Sequence, residues 1–566
     1  MPFDYEQLRR DVSWDVAKRD LGYRDGDTLN IGRLCADRHV EQGRGDSTAL
    51  IHENHDGDVR QFTFRDLQEL SNGWAHFLRG NVFIKPLDRV CLFLDRIPEL
   101  YIGFLGILKT GAMVEPLFSA FGEDALIARM LDSRATAIIT QRRHLSKVRK
   151  AHERLPDLKT IIVVDHEEAG RKLRDGEVSF QMMDHRDTSF PVAATYPENP
   201  SVLHYTSGTT GAPKGAMHVH GSIFAQYLTS KLVLDIKDDD VYWCTADPGW
   251  VTGTSYGIIG PWALGVAQVV LDAGFSAERW YQTMEKHGVS VWYTAPTAIR
   301  MLMKDGFDPV RAHNLKQLRH MASVGEPLNP EAVRWGFEAF GLWFHDTFWQ
   351  TETGSIMVTN LPGMAVKPGS MGRPFPALEA AVVEPKTGMP ITEPGRVGLI
   401  AIRPPWPSLM RTYWNNTATY YGKFLNGWYI CGDQASLDQD GYFWFCGRDD
   451  DVINTGGHLV GPFEIESALL EHPAVAKSAA IGKPDPVNME VVKVFVALRP
   501  GHEVTVDLEL DIMNFVRKRL SPLAMPQEIE FVDKVPKTRS GKILRRVLKA
   551  KELGQPVGDV STMEDD

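Results

Sequence analysis

Cysteine is scarce in this chain: Cys35, Cys91, Cys244, Cys431 and Cys446 are the five among 566 residues, and no two sit at a paired spacing. That pattern gives no disulfide framework and points to reduced thiols and a cytoplasmic setting. Long apolar runs are also lacking. The most apolar stretch, Val90 to Met113, is broken by Asp95, Arg96, Glu99 and Lys109, too many charges for a membrane span. The opening residues Met-Pro-Phe-Asp-Tyr-Glu have neither the basic start nor the apolar core of a signal peptide. There is no excess of positive charge. A formal net charge of −11 argues against a general nucleic-acid binder, so neither nucleic acid nor membrane is expected as a partner. Internal repeats and low-complexity segments are missing as well. What remains is an ordinary globular composition, 43% hydrophobic and 24% charged, long enough for two or more domains with sizeable cores.

Short β-rich runs alternate with helical patterns over most of the first 440 residues. Val90–Leu94 reads as a buried strand, and Pro98 opens a helix through Leu108. Ile161–Val164, Val269–Leu271 and Val289–Tyr293 are further strands, with a helix at Ala277–His287 between the last two. This alternation predicts layered α/β sheets that are largely parallel. Gly354–Pro407, dense in Pro and Gly with short Val/Ile runs, predicts a small β-subdomain. The acidic turn Arg448-Asp449-Asp450-Asp451 is the expected boundary, dividing a large domain, 1–449, from a small α+β domain, 450–566.

Five stretches carry chemistry. Residues 205–215 read Tyr-Thr-Ser-Gly-Thr-Thr-Gly-Ala-Pro-Lys-Gly. Thr206, Ser207, Gly208, Thr209, Thr210 and Gly211 form a loop rich in N–H and O–H donors, followed closely by Lys214. Such a loop can wrap a polyphosphate, because glycine lets the backbone approach closely. It is not a Walker A loop, since Pro213 precedes the lysine and Gly215 follows it. The run His345–Gly354 offers Glu352 as a carboxylate for Mg²⁺ and Thr351 as a donor to a reacting phosphoryl group. Val324-Gly325-Glu326-Pro327 is a tight turn able to lie against a purine. Asp433, after a short apolar strand, can accept from both ribose hydroxyls, and Arg448 can grip the same ribose or a phosphate.

The fifth stretch is basic. Lys537 to Lys551 holds seven Lys/Arg and no acid. A solvated tail or a nucleic-acid patch has the same composition. Ser540-Gly541, however, sets a flexible turn before Lys542, whose ammonium can meet a carboxylate and an α-phosphate together.

In order and spacing these motifs resemble the adenylate-forming enzymes (acyl-CoA synthetases, adenylation domains, luciferases), and most closely the AMP-forming acetyl-CoA synthetases. The resemblance runs from about residue 20 to the end of the chain. It implies ATP and CoA as co-substrates, Mg²⁺ held by Glu352 and Thr206, and acetate as the acid, with another small carboxylic acid as the alternative. Lys542 resembles the lysine that serves acyl-adenylate formation, with Thr351 and Glu352 beside it. Gly325, Glu326, Pro327, Asp346, Thr347, Phe348, Trp349, Gln350, Asp433 and Arg448 match nucleotide-site positions. Trp250, Val251, Thr252, Val324 and Trp349 match the acyl pocket, with the Trp349 indole limiting acid length. Asp450 matches a hinge about which the small domain turns between half-reactions. Gly456, Gly457, His458 and Arg517 match positions facing CoA. Two positions depart from the family pattern: Gly456 replaces a serine and Leu459 an arginine that helps bind phosphate, which bears on nucleotide affinity or reaction direction. A lysine acetyltransferase and deacetylase acting on Lys542 are the implied protein partners.

Overall fold

A computed structural model describes the chain except residues 1, 2, 166–172, 208–212, 449, 450, 456, 457, 487, 539, 540, 558, 559, 561, 562, 565 and 566. Two large mixed sheets dominate the first 440 residues. The nine-stranded sheet has a parallel centre made by 48–54, 267–272, 241–244, 291–294, 320–323 and 344–348, with antiparallel strands at both edges. The eight-stranded sheet is parallel over 200–207, 113–116, 89–93, 137–140, 160–163 and 177–179; strand 213–219 then folds back antiparallel on 200–207. Val291–Thr294 shows why the central strands form where they do. All four residues are β-branched or aromatic and all are buried, as a parallel strand covered on both faces requires. Helices cover the sheets. The one at Ala277–His287 starts on the Ser276 side chain, which accepts from the Arg279 N–H, and stops at Gly288 in a left-handed conformation.

The Pro/Gly-rich region forms a five-stranded antiparallel sheet of strands 379–383, 398–403, 424–425, 428–437 and 443–448. It therefore extends about forty residues beyond Pro407, since the longest strand, Trp428–Leu437, lies past the stretch whose composition marks it. A further five-stranded sheet, built from 453–455, 458–460, 475–485, 489–498 and 528–531, packs against helices 462–470 and 506–519 around one apolar cluster and against helix 545–552 around a second, smaller one. All five cysteines are free thiols; Cys244 is half-buried and the other four are buried. Among the described residues no helix is long and apolar enough to cross a membrane.

Candidate active site

Strands 241–244, 291–294, 320–323 and 344–348 lie side by side and run the same way. Their carboxyl ends therefore open at one edge, where ligands of open α/β sheets bind. From that edge leave Trp250–Thr252, Pro296-Thr297, Val324–Pro327 and Trp349–Gly354.

Trp349 is held by a relay of hydrogen bonds. Its Nε1–H donates to the Tyr293 hydroxyl at 3.2 Å; Tyr293 Oη lies 2.8 Å from Thr347 Oγ1, which donates to the Ser323 carbonyl at 2.7 Å. The Tyr256 ring meets the indole edge-on, with centroids 5.2 Å apart, and is itself fixed by the Ile356 N–H donating to its hydroxyl at 2.7 Å. A large flat side chain pinned on two sides makes a rigid wall.

After Trp349 the backbone turns at once. Gln350 N–H donates to Thr353 Oγ1 at 3.0 Å, and Gly354 N–H returns to the Gln350 carbonyl at 3.0 Å. Gly354 has φ +71°, and a Cβ there would lie 2.5 Å from the Ser408 carbonyl oxygen, so only glycine fits. The turn leaves Thr351 and Glu352 half-exposed. His218 Nε2 faces the Thr351 carbonyl at 2.8 Å, and the Tyr413 hydroxyl donates to Glu352 Oε1 at 2.8 Å. Burial pushes His218 down to about 4, so the imidazole is neutral. Lys214 Nζ stands 5.8 Å above the Tyr413 ring.

Lys214 reaches this place because strands 200–207 and 213–219 pair antiparallel, with Thr206 opposite Lys214. Gly208, Thr209, Thr210 and Gly211 lie outside the described residues. Gln350 also donates to the Asp433 carboxylate and, at 3.0 Å, to the Cys431 carbonyl. Asp433 is directly opposite Arg448 on the adjacent strand. Burial pushes the Asp433 carboxyl up to about 6, against the opposing charges of Lys542 and Arg448.

Lys542 follows a closed turn. Thr538 N–H donates to the Lys542 carbonyl at 2.7 Å, and Gly541 N–H to the Thr538 carbonyl at 2.8 Å. Lys542 itself is exposed. Desolvation first, and then the Arg448 charge, lower its pKa below the ordinary lysine value, with Asp433 and Asp451 opposing. The turn rests on the large sheet's edge: a Cβ built on Gly541, φ +93°, would lie 1.9 Å from Thr297 Oγ1. Thr297 belongs to a compact group, its hydroxyl donating to Glu326 Oε1 at 2.5 Å while Arg300 donates to Glu326 Oε2 at 2.5 Å. So Glu326, from the purine-turn motif, anchors the patch against which the Lys542 turn sits.

The structure thus gathers Lys542, Asp433, Arg448 and Gln350 at one end, and Lys214, Thr351 and Glu352 around Tyr413. Other expected residues stand apart. Asp346 and Thr347 are buried, and burial pushes Asp346 up to about 8, so it is a neutral acid inside the strand. Phe348 packs toward Phe445, with centroids 6.4 Å apart. Val251 and Thr252 are half-exposed and Val324 is buried, whereas Trp250 joins Phe118 and Phe121 at centroid separations of 5.7 and 6.0 Å. Arg517 is exposed on helix Val506–Arg519. Asp450, Gly456 and Gly457 lie outside the described residues; His458 opens strand 458–460. Tyr256, Tyr293, Thr297, Arg300 and Tyr413 were not singled out from the sequence, because each acts through a partner distant along the chain and carries no local motif.

Comparison with known proteins agrees with this geometry. The model of the AMP-binding enzyme family matches residues 36–414, and that of the AMP-binding enzyme C-terminal domain matches 464–542. An acetyl-coenzyme A synthetase of Bacillus subtilis is 46% identical over 99% of this chain and 97% of its own length. One from Pyrobaculum aerophilum is 39% identical over 96% of this chain and 86% of its own. Among solved structures, an acyl-CoA synthetase of Brucella canis aligns at TM-score 0.75 with 32% identity over 97% of this chain and 99% of its own. The anthranilate CoA ligase AuaEII, in complex with anthranoyl-AMP, aligns at TM-score 0.82 with 28% identity over 93% and 97%. The layered sheets, the half-site around Asp433 and Lys542, and these matches lead to one assignment: the chain belongs to the AMP-binding enzyme family.

Proposed function

We propose that the chain is an acetate–CoA ligase that works through an acetyl-adenylate. The observation that carries this reading is the meeting of Lys542, Asp433 and Arg448 at the sheet edge that also bears the pinned Trp349. The relatives named acetyl-coenzyme A synthetase, similar over nearly the whole chain, support the choice of acid.

In the first half-reaction an acetate oxygen bonds to the α-phosphorus of ATP, the bond to the bridging oxygen breaks, and diphosphate leaves. Lys542 neutralises the two approaching anions, Asp433 holds the ribose, and Lys214 with Thr206 and Ser207 of the paired strand meets the phosphates. Thr351 donates to the α-phosphoryl oxygens. Glu352 keeps a half-exposed carboxylate anchored at one oxygen by Tyr413. One carboxylate plus phosphate oxygens suits Mg²⁺, and among the described residues no group of three or more His, Cys, Asp or Glu forms a cage for a metal. Glu352, with Thr206, would hold that ion, which supplies charge neutralisation on the triphosphate. Trp349 excludes longer acids sterically, since each added methylene contributes about 0.8 kcal/mol wherever it fits.

In the second half the CoA sulfur bonds to the acyl carbon, the mixed anhydride breaks, and AMP leaves as the thiol proton is lost. The reading places the domain boundary at 449/450, with rotation about Asp450 withdrawing Lys542 and presenting Gly456, Gly457 and His458 to the pantetheine arm and Arg517 to CoA phosphate. Leu459, where the superfamily pattern has arginine, removes a phosphate contact, which alters nucleotide affinity or favours the reverse direction. Lys542, which is exposed, is a substrate for a lysine acetyltransferase and a deacetylase, because acetylation removes the charge used in the first half only. Acid-dependent ATP–diphosphate exchange across a panel of carboxylates tests the proposal. Fastest exchange with acetate is expected; no exchange with any acid refutes it.

A further inference from the structure

Beside Val251 lies a small interior cavity of about 10 Å³, the space of a single water molecule. Of the polar side chains that line it, His218, Thr254 and Ser255 are hydrogen-bonded to backbone carbonyls, and four others, each at least nine-tenths buried, are Ser201, His204, Ser222 and Gln226. Ser201 Oγ, His204 Nε2, Ser222 Oγ and Gln226 Oε1 have no hydrogen-bond partner among the described residues. Leaving one such atom unpaired costs roughly 1–3 kcal/mol, so four unpaired atoms converging on one space call for a common partner.

The orientation of Gln226 is set from the other side. Its Nε2–H donates to Ser255 Oγ at 3.0 Å, and Ser255 Oγ donates to the Gly354 carbonyl at 2.9 Å. The Gln226 carbonyl oxygen is therefore the atom turned to the cavity, an acceptor only. Burial holds His204 near pKa 3, so its ring is neutral and offers one donor and one acceptor nitrogen. Two hydroxyls, an amide oxygen and a neutral imidazole match the two-donor, two-acceptor valence of water. They do not suit an anion, because the Gln226 oxygen would repel it, nor a cation, because no carboxylate lines the space.

Val251 gives this cavity a bearing on specificity. It lines the cavity and is also half-exposed, so it stands between the cavity and the open cleft. We propose that Ser201, His204, Ser222 and Gln226 form a built site for one water molecule and that Val251 is the partition keeping that site apart from the acid. The second clause rests on the acyl-pocket reading above; the first does not. With the partition removed, an acid bearing a terminal hydroxyl in the place of its last methyl can displace the water and inherit its hydrogen bonds, whereas its hydrocarbon isostere strands them.

A crystal structure of the full chain at high resolution, with acetyl-adenylate bound, reads the water directly. An ordered oxygen within hydrogen-bond distance of at least three of the four atoms is expected; a dry cavity overturns the site. In parallel, acid-dependent ATP–diphosphate exchange is measured for wild type, Val251→Gly, and Val251→Gly with Ser222→Ala, using 3-hydroxypropionate and its isostere butyrate. The ratio of the two rates should rise about tenfold in Val251→Gly, the worth of one hydrogen bond, and fall back when Ser222 is also changed. A ratio unchanged from wild type, or one shifted toward butyrate, overturns the partition. Failure of wild type to exchange with acetate would instead sink the ligase reading and leave the crystallographic test of the water standing.

Discussion

Gly541→Ala should separate the two half-reactions without altering any side chain of the nucleotide site. The added Cβ would lie 1.9 Å from Thr297 Oγ1, 2.6 Å from its Cβ and 2.8 Å from its Cγ2. Real contacts of this kind stay beyond about 3 Å, so the turn must lift by more than an ångström. Thr297 cannot rotate away cheaply, because its hydroxyl bonds Glu326 and receives Arg300 at 2.9 Å. Overpacking of this size typically costs about 1–3 kcal/mol, and the cost falls only on the arrangement with the Lys542 turn seated. The strain of a left-handed alanine, roughly 1–2 kcal/mol, applies in every arrangement and so cancels between half-reactions. The population with Lys542 in place should fall about tenfold to a hundredfold. Acetate-dependent ATP–diphosphate exchange should fall with it, while thioester formation from preformed acetyl-adenylate and CoA stays within about twofold. Thr297→Ala in the Gly541→Ala background removes two of the three clashing atoms and Thr297→Gly removes all three, so rescue should be graded in that order. Equal loss of both half-reactions, or no loss of either, would refute the docking argument.

Lys542→Ala should lower adenylate formation by about 10²–10³ while sparing the thioester half, measured in the same two assays; intact adenylate production would remove Lys542 from its role. Trp349→Gly should raise the butyrate-to-acetate exchange ratio about tenfold, from two methylenes at about 0.8 kcal/mol each, and an unchanged ratio would count against the pocket. Asp346→Asn tests a buried proton. With the folded carboxyl near 8 and the ordinary value at 3.8, the folded state binds a proton between those limits that the unfolded state has released. Wild-type stability therefore declines as pH rises through that window. The thermal midpoint of Asp346→Asn relative to wild type should climb from pH 4 to pH 8 and then level off, and a flat difference would refute it.

Local patterns in the sequence were a good guide wherever an element is made by near neighbours. Ser276 and Gly288 bracket the helix at Ala277–His287, and β-branched runs mark the buried strands to within a residue or two. The phosphate-loop motif is legible as donors but not as paired strands, because the pairing of Thr206 with Lys214 depends on two proline-led strands whose β character is weak. Trp349 and Glu352 can be singled out from their motif, yet what positions them cannot: Tyr293 is 56 residues from Trp349 and Tyr413 is 61 from Glu352. The first contact arises from the order of parallel strands, which crossover connections decide, and the second from strand 412–413 joining 213–219 antiparallel from about two hundred residues away.

The cysteines have a chemical consequence. Burial pushes every one of the five thiols up, Cys244 and Cys446 to about 12. Thiolate is the reactive form, and at neutral pH these positions supply almost none. A protein that shelters an activated acyl group beside a cofactor thiol runs a standing risk of capturing that group on its own sulfur. Here burial keeps the protein's own five thiols protonated at neutral pH, which leaves the incoming CoA thiol little competition for the acyl group.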